Sequence, residues 1–107
     1  MNIKVPKEIR IATLIYKIVY VPYLLADERN WGTIDHRKQE IQLEKDVALS
    51  VRNVTLLHEI LHLITEVYKV NLDDNDIDRL AQGFGEFLFN NLGIEFDWSD
   101  IEGITPP

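Results

Sequence analysis

The stretch from Val54 to Tyr68 constrains this chain more than any other. Val54, Leu57, Ile60, Leu61, Ile64 and Val67/Tyr68 return at three- and four-residue intervals, the period of one buried face of an α-helix. The spacing predicts a helix from about Val54 to Lys69, with Asn53 as its N-cap. Inside it stands His58-Glu59-Ile60-Leu61-His62. Side chains four apart stack on the same helix face, so His58 and His62 can close on one metal ion. Imidazole suits zinc, at a Zn–N distance of about 2.0–2.1 Å. Glu59 projects beside that face, placed as general base for a water whose pKa zinc lowers to about 7. A lone helical histidine is usually an ordinary core or surface residue. Here two of the chain's three histidines sit at ligand spacing among apolar neighbours, and burying them there costs stability unless a polar partner engages them.

Two histidines leave a third protein ligand to find. A second amphipathic stretch follows a turn at Val70 to Asp73, with Ile77, Leu80, Ala81, Phe84, Phe87 and Leu88 as its apolar positions and an end near Asn90-Asn91-Leu92-Gly93. Counting about 100° per residue from Ile77 puts Asp74 and Asp78 on the flank carrying Ala81 and Gly85, Asp76 on the opposite flank, and Glu86 towards water. If the two helices are antiparallel neighbours, a site beside His62 lies roughly 10 Å back from the turn. That level favours Asp78 as the metal ligand, with Asp74 supporting or replacing it. Ala81, Gly83 and Gly85 would allow close approach of the helices, a reason for helical glycines that otherwise cost about 1 kcal/mol each. His36, in a polar turn, reads as exposed, and Glu66 shares the flank of Glu59. Tyr16, Tyr20, Tyr23 and Tyr68 are all candidates to stabilise an oxyanion, and the pattern does not choose among them.

The first half of the chain reads as β-structure. Ile9 to Val21 alternates and is rich in β-branched and aromatic residues, too long for one strand without a bend near Thr13 to Lys17. Ala26 to Asn30 is a polar loop. Trp31 to Ile34 and Glu40 to Leu43 flank the polar run Asp35 to Gln39 as a hairpin, and Asp46 to Arg52 is a connection. The tail from Ile94 reads as an edge strand or ordered extension. The expectation is one α+β domain over residues 1–107, small antiparallel hairpins followed by two packed helices. With no cysteine in 107 residues, disulfides and thiolate metal sites are excluded. A net charge of −7 opposes a phosphate-binding surface. No apolar run has bilayer length and no signal segment opens the chain, so the expected location is the cytoplasm, with no nucleic-acid or membrane partner.

Four segments together resemble the compact metallopeptidases related to the ImmA/IrrE family, and in size the minigluzincins. They are Gly32-Thr33-Ile34-Asp35, Gln39 to Leu43, Thr55 to His62, and Asp74 to Ala81. The resemblance implies a zincin-like core, in which a hairpin precedes the motif helix and a second helix supplies an acidic ligand. It also implies zinc-dependent cleavage of an intracellular protein or peptide substrate, with Glu59 as catalytic base and His58, His62 and Asp78 on the metal. That downstream ligand is usually Glu in the family, whereas every candidate here is Asp, one methylene shorter. A metal-stabilised, non-catalytic interaction module and a structural domain with a chance motif are the competing readings. Oligomeric state is not legible.

Overall fold

A computed structural model describes residues 1–22, 24 and 31–103 of the chain. The polar loop expected at Ala26 to Asn30, the candidate Tyr23 and the last four residues lie outside that description. Six strands and two helices follow one another as β1 (Asn2–Lys4), β2 (Glu8–Ile11), β3 (Leu14–Tyr20), β4 (Gly32–Asp35), β5 (Glu40–Leu43), α1 (Leu49–Val67), α2 (Asp74–Gly85) and β6 (Glu95–Asp97). A π-helical continuation of α2 covers Glu86–Asn91. None of the described helices is long and apolar enough to cross a membrane.

The long apolar run of the first half is broken at Ala12 and Thr13, slightly before the expected bend. Ala12 takes a left-handed φ of 55° there, and β2 and β3 pair antiparallel across the turn. β4 and β5 form the expected hairpin, β4 lying one residue later than expected, with Gly32 opposite Leu43 and Asp35 opposite Glu40. The Asp35 carboxylate accepts a hydrogen bond from the Lys38 amide (3.1 Å), which closes the turn. The sheets are mixed, not purely antiparallel. β5 lies parallel to β3, giving the order β2-β3-β5-β4, and β1 runs parallel to β6 in a second, two-stranded sheet. The cause is the crossover after β3. It returns the chain to lay β4 at the outer edge, so β5, hairpinned to β4, must run with β3.

The motif helix starts earlier than Asn53. Its N-cap is Ala48, and Asn53 lies inside the helix, buried. A polar amide is tolerated there because its Oδ1 accepts a hydrogen bond from the indole Nε1 of Trp98 at 2.8 Å, which satisfies both groups. α1 packs its opposite face, Leu56 and Leu63, on Tyr16, Ile18, Ile41 and Leu43 of the sheet, with Val5, Trp98 and Ile101 closing the core. Arg52 spans one edge. Its guanidinium lies 5.2 Å from the Tyr20 ring centroid and 5.3 Å from that of Trp98, and it donates to the Lys45 carbonyl at 2.7 Å.

α2 buries a narrower face than its composition implies. Ile77, Ala81 and Gly85 are buried against α1, but Leu80, Phe84 and Phe87 are exposed. Neither helical glycine is demanded by the helix packing, since a Cβ at Gly85 would sit at ordinary contact distance, 3.4 Å from Val54 Cγ2, and one at Gly83 would meet open space. The connection between the helices decides where α2 begins. Lys69 turns the chain at a φ of 55°. Residues 70–73 then form no regular secondary structure, and Asp73, in an extended conformation, caps the new helix by accepting from the Asp76 amide at 2.8 Å.

Candidate metal centre

The connection between the helices brings the first turn of α2 level with the second histidine of α1. Asp74, the first residue of α2, therefore reaches the histidine pair. Its Oδ1 lies 2.8 Å from His62 Nε2 and 3.5 Å from His58 Nε2, and the two Nε2 atoms are 3.0 Å apart. Asp78, expected as the third ligand, is one turn further on. Its Oδ1 is 3.5 Å from Nδ1, the other nitrogen of the His58 ring.

His58, His62 and Asp74 form a group that can hold a metal ion. The geometry itself supports the fit. Ligand atoms 2.0–2.1 Å from a tetrahedral zinc stand about 3.3–3.4 Å from one another, and the three separations here, 2.8, 3.0 and 3.5 Å, bracket that value. If both imidazoles carry their proton on Nδ1, three lone pairs face one another, an arrangement only a shared cation makes favourable. Three protein ligands would leave one tetrahedral position open, the pattern of catalytic rather than structural zinc. His58 and His62 are largely buried, while Asp74 is 78% exposed on its side chain.

Glu59 is buried at 8% exposure on the sheet side of the group. Burial pushes its carboxyl above the ordinary value, and the facing imidazoles of His58 and His62 pull part of that shift back. Two cavities meet at this residue. A cleft of about 410 Å³ runs along the first half of α1 and includes Trp31, Val51, Val54 and Gln82 with His58, Glu59 and Asp78. A second, more polar cavity of about 360 Å³ lies on the other side and includes Thr33, His36, Glu66, His62 and Asp74. β4 contributes to both. It comes this close to α1 because residue 32 is glycine: a Cβ there would be 2.6 Å from Thr55 Cγ2 and 3.3 Å from Glu59 Cγ.

The remaining acids sit apart from the group. Asp76 is paired with Arg79, and Glu86 begins the π-helical stretch on the exposed side. His36 is not a ligand. Its Nδ1 is 2.9 Å from the Tyr16 hydroxyl and its Nε2 is 2.9 Å from Glu66 Oε2. Tyr20 is engaged by Arg52, with burial raising its pKa against the pull of that guanidinium. Among the described residues no tyrosine lines either cavity. Trp31, which reads from sequence as a core or cleft-wall residue, lines the cleft. The role that pattern reading missed is that of Gly32, whose only signal was its place at the start of a strand whose partner helix was unknown. Compared with protein-family models, curated proteins and solved structures, the chain matches none.

Proposed function

We propose that this chain is a zinc-dependent metallopeptidase of minimal zincin type, akin to the ImmA/IrrE proteins. It would hydrolyse peptide bonds of a protein substrate, with zinc on His58, His62 and Asp74. One observation carries the reading: ligand atoms from two helices converge at tetrahedral spacing while Glu59 opens onto the same two cavities. Zinc held there would supply Lewis acidity and make water a nucleophile at neutral pH. Glu59, held between α1 and β4 away from bulk solvent, would act as the base for water and the acid for the leaving amine. Asp78 faces Nδ1 of His58 and favours the tautomer whose Nε2 lone pair points into the group. β4, at the edge of its sheet, offers backbone groups to an extended peptide.

Elemental analysis of protein purified without added metal tests the first half of this proposal, with about one zinc per chain expected. Glu59→Gln tests the second, because it should keep zinc and fold while abolishing peptide cleavage. The exposure of Asp74 and of Leu80, Phe84 and Phe87 favours one alternative, a metal-stabilised interaction module. Full zinc occupancy with no hydrolysis by the unmodified chain would select it.

A further inference from the structure

The two cavities flanking the metal group differ in chemistry, and β4 runs past both in a known direction. Trp31 and Gly32, where β4 begins, line the cleft with Val51 and Val54. Thr33 and Ile34, further along, line the second cavity with His36 and Glu66. An extended peptide pairing antiparallel with β4, as β5 does on its other side and as the more stable ladder favours, enters at the Ile34 end and leaves at the Gly32 end. Its N-terminal part then lies in the second cavity and its C-terminal part in the cleft.

The second cavity is short of positive charge. Glu59, Glu66 and Asp74 line it, and among the described residues no lysine or arginine does. With Asp74 in the metal group and Glu59 placed as the base, Glu66 is the carboxylate of this cavity left to meet a substrate group. Glu66 is also held in place. His36 grips it at 2.9 Å and is itself gripped at 2.9 Å by the hydroxyl of Tyr16, a residue 3% exposed. The carboxylate is thus tied to the sheet, with its second oxygen left for a ligand. The cleft opposite is walled by Trp31, at 46% exposure, and two valines, with room for a bulky apolar side chain.

Resting on the peptidase reading above, we infer that the substrate carries a cationic group N-terminal to the cleaved bond, held at Glu66, and a bulky apolar residue C-terminal to it, held beside Trp31. The cation is either a free α-amino group or a Lys or Arg side chain. Tyr16 and His36 act as positioning residues for Glu66.

Binding measured without turnover tests this. The probes are peptides whose central amide is replaced by a ketomethylene group, titrated into the zinc-loaded chain while Trp31 emission is followed. Acetyl-Ala-Ala, acetyl-Ala-Lys and free-amine Ala precede the replaced bond, and Phe-Ala-amide follows it. A cationic peptide should bind about two- to fivefold tighter than the neutral one, the range of a partly exposed ion pair. Preference for the free amine or for lysine identifies the source of the cation. Glu66→Gln should erase the preference and leave the neutral peptide unchanged, whereas Val51→Phe, which narrows the cleft, should weaken all three alike. Equal binding of all peptides, a preference that survives Glu66→Gln, or no binding at all overturns the inference. If the preference appears but the corresponding amides are not cleaved, hydrolysis fails and this inference stands.

Discussion

Replacing Gly32 with alanine strikes the closest approach between the sheet and the motif helix. The added Cβ would lie 2.6 Å from Thr55 Cγ2, 3.1 Å from Leu43 Cδ2 and 3.3 Å from Glu59 Cγ, whereas carbon atoms rest at about 3.5–4.0 Å. None of the three neighbours can yield freely. Leu43 is completely buried. Thr55 is locked by the 2.7 Å hydrogen bond from its Oγ1 to the Val51 carbonyl, so rotating Cγ2 away breaks that bond. Glu59 cannot shift without leaving its position beside the histidines. Overpacking of this kind costs about 1–3 kcal/mol, and an off-rotamer threonine adds about 0.5–1.5 kcal/mol. Gly32→Ala should therefore lose about 2–4 kcal/mol in urea unfolding of the zinc-loaded chain, and peptide cleavage should fall with it as Glu59 is displaced. The decisive control is Thr55→Ser, which removes the atom at 2.6 Å and keeps the hydroxyl. In the double variant at least half of the loss should be recovered, a coupling well outside simple additivity. Purely additive effects, or a Gly32→Ala chain within 0.5 kcal/mol of the original, would refute this account of how β4 is seated.

Four further outcomes follow from the same geometry. Asp74→Ala should weaken zinc affinity more than Asp78→Ala in a chelator competition, because the latter faces only the other ring nitrogen of His58. Stripping zinc with a chelator should lower the melting temperature, since the ligands bridge two helices, and His58→Ala should abolish that dependence. Gly83→Ala, with open space at its Cβ in an exposed helix interior, should raise stability by about 0.5–1 kcal/mol in denaturant titration. Trp98→Phe removes the donor to the buried Asn53 amide and should cost about 1–3 kcal/mol by the same measurement, with Asn53→Leu in that background recovering part of it.

Periodicity by itself determined the elements that carry the chemistry. The 3.6-residue recurrence around His58 and His62 requires a helix, and two imidazoles on one helix face lie within reach of one another whatever surrounds them. Polar Asp35 to Gln39 between two short strand candidates likewise points to the β4–β5 hairpin, because turn chemistry acts locally, while its register came from the fold. What the sequence left open depended on contacts between distant residues. Asn53 suits a cap by its chemistry, yet it is a buried acceptor because Trp98, 45 positions away, supplies a donor. Leu80, Phe84 and Phe87 share the helical period of a core, but α2 packs chiefly on α1, and among the described residues nothing covers them. The parallel pairing of β5 with β3 follows from a crossover whose path no local pattern records. The approach of Asp74 or Asp78 to the histidines turned on four residues between the helices. Taken as a tight turn they favour Asp78. In the folded chain they follow the left-handed turn at Lys69 without helical structure, so α2 starts beside His62 and the converging position falls to Asp74.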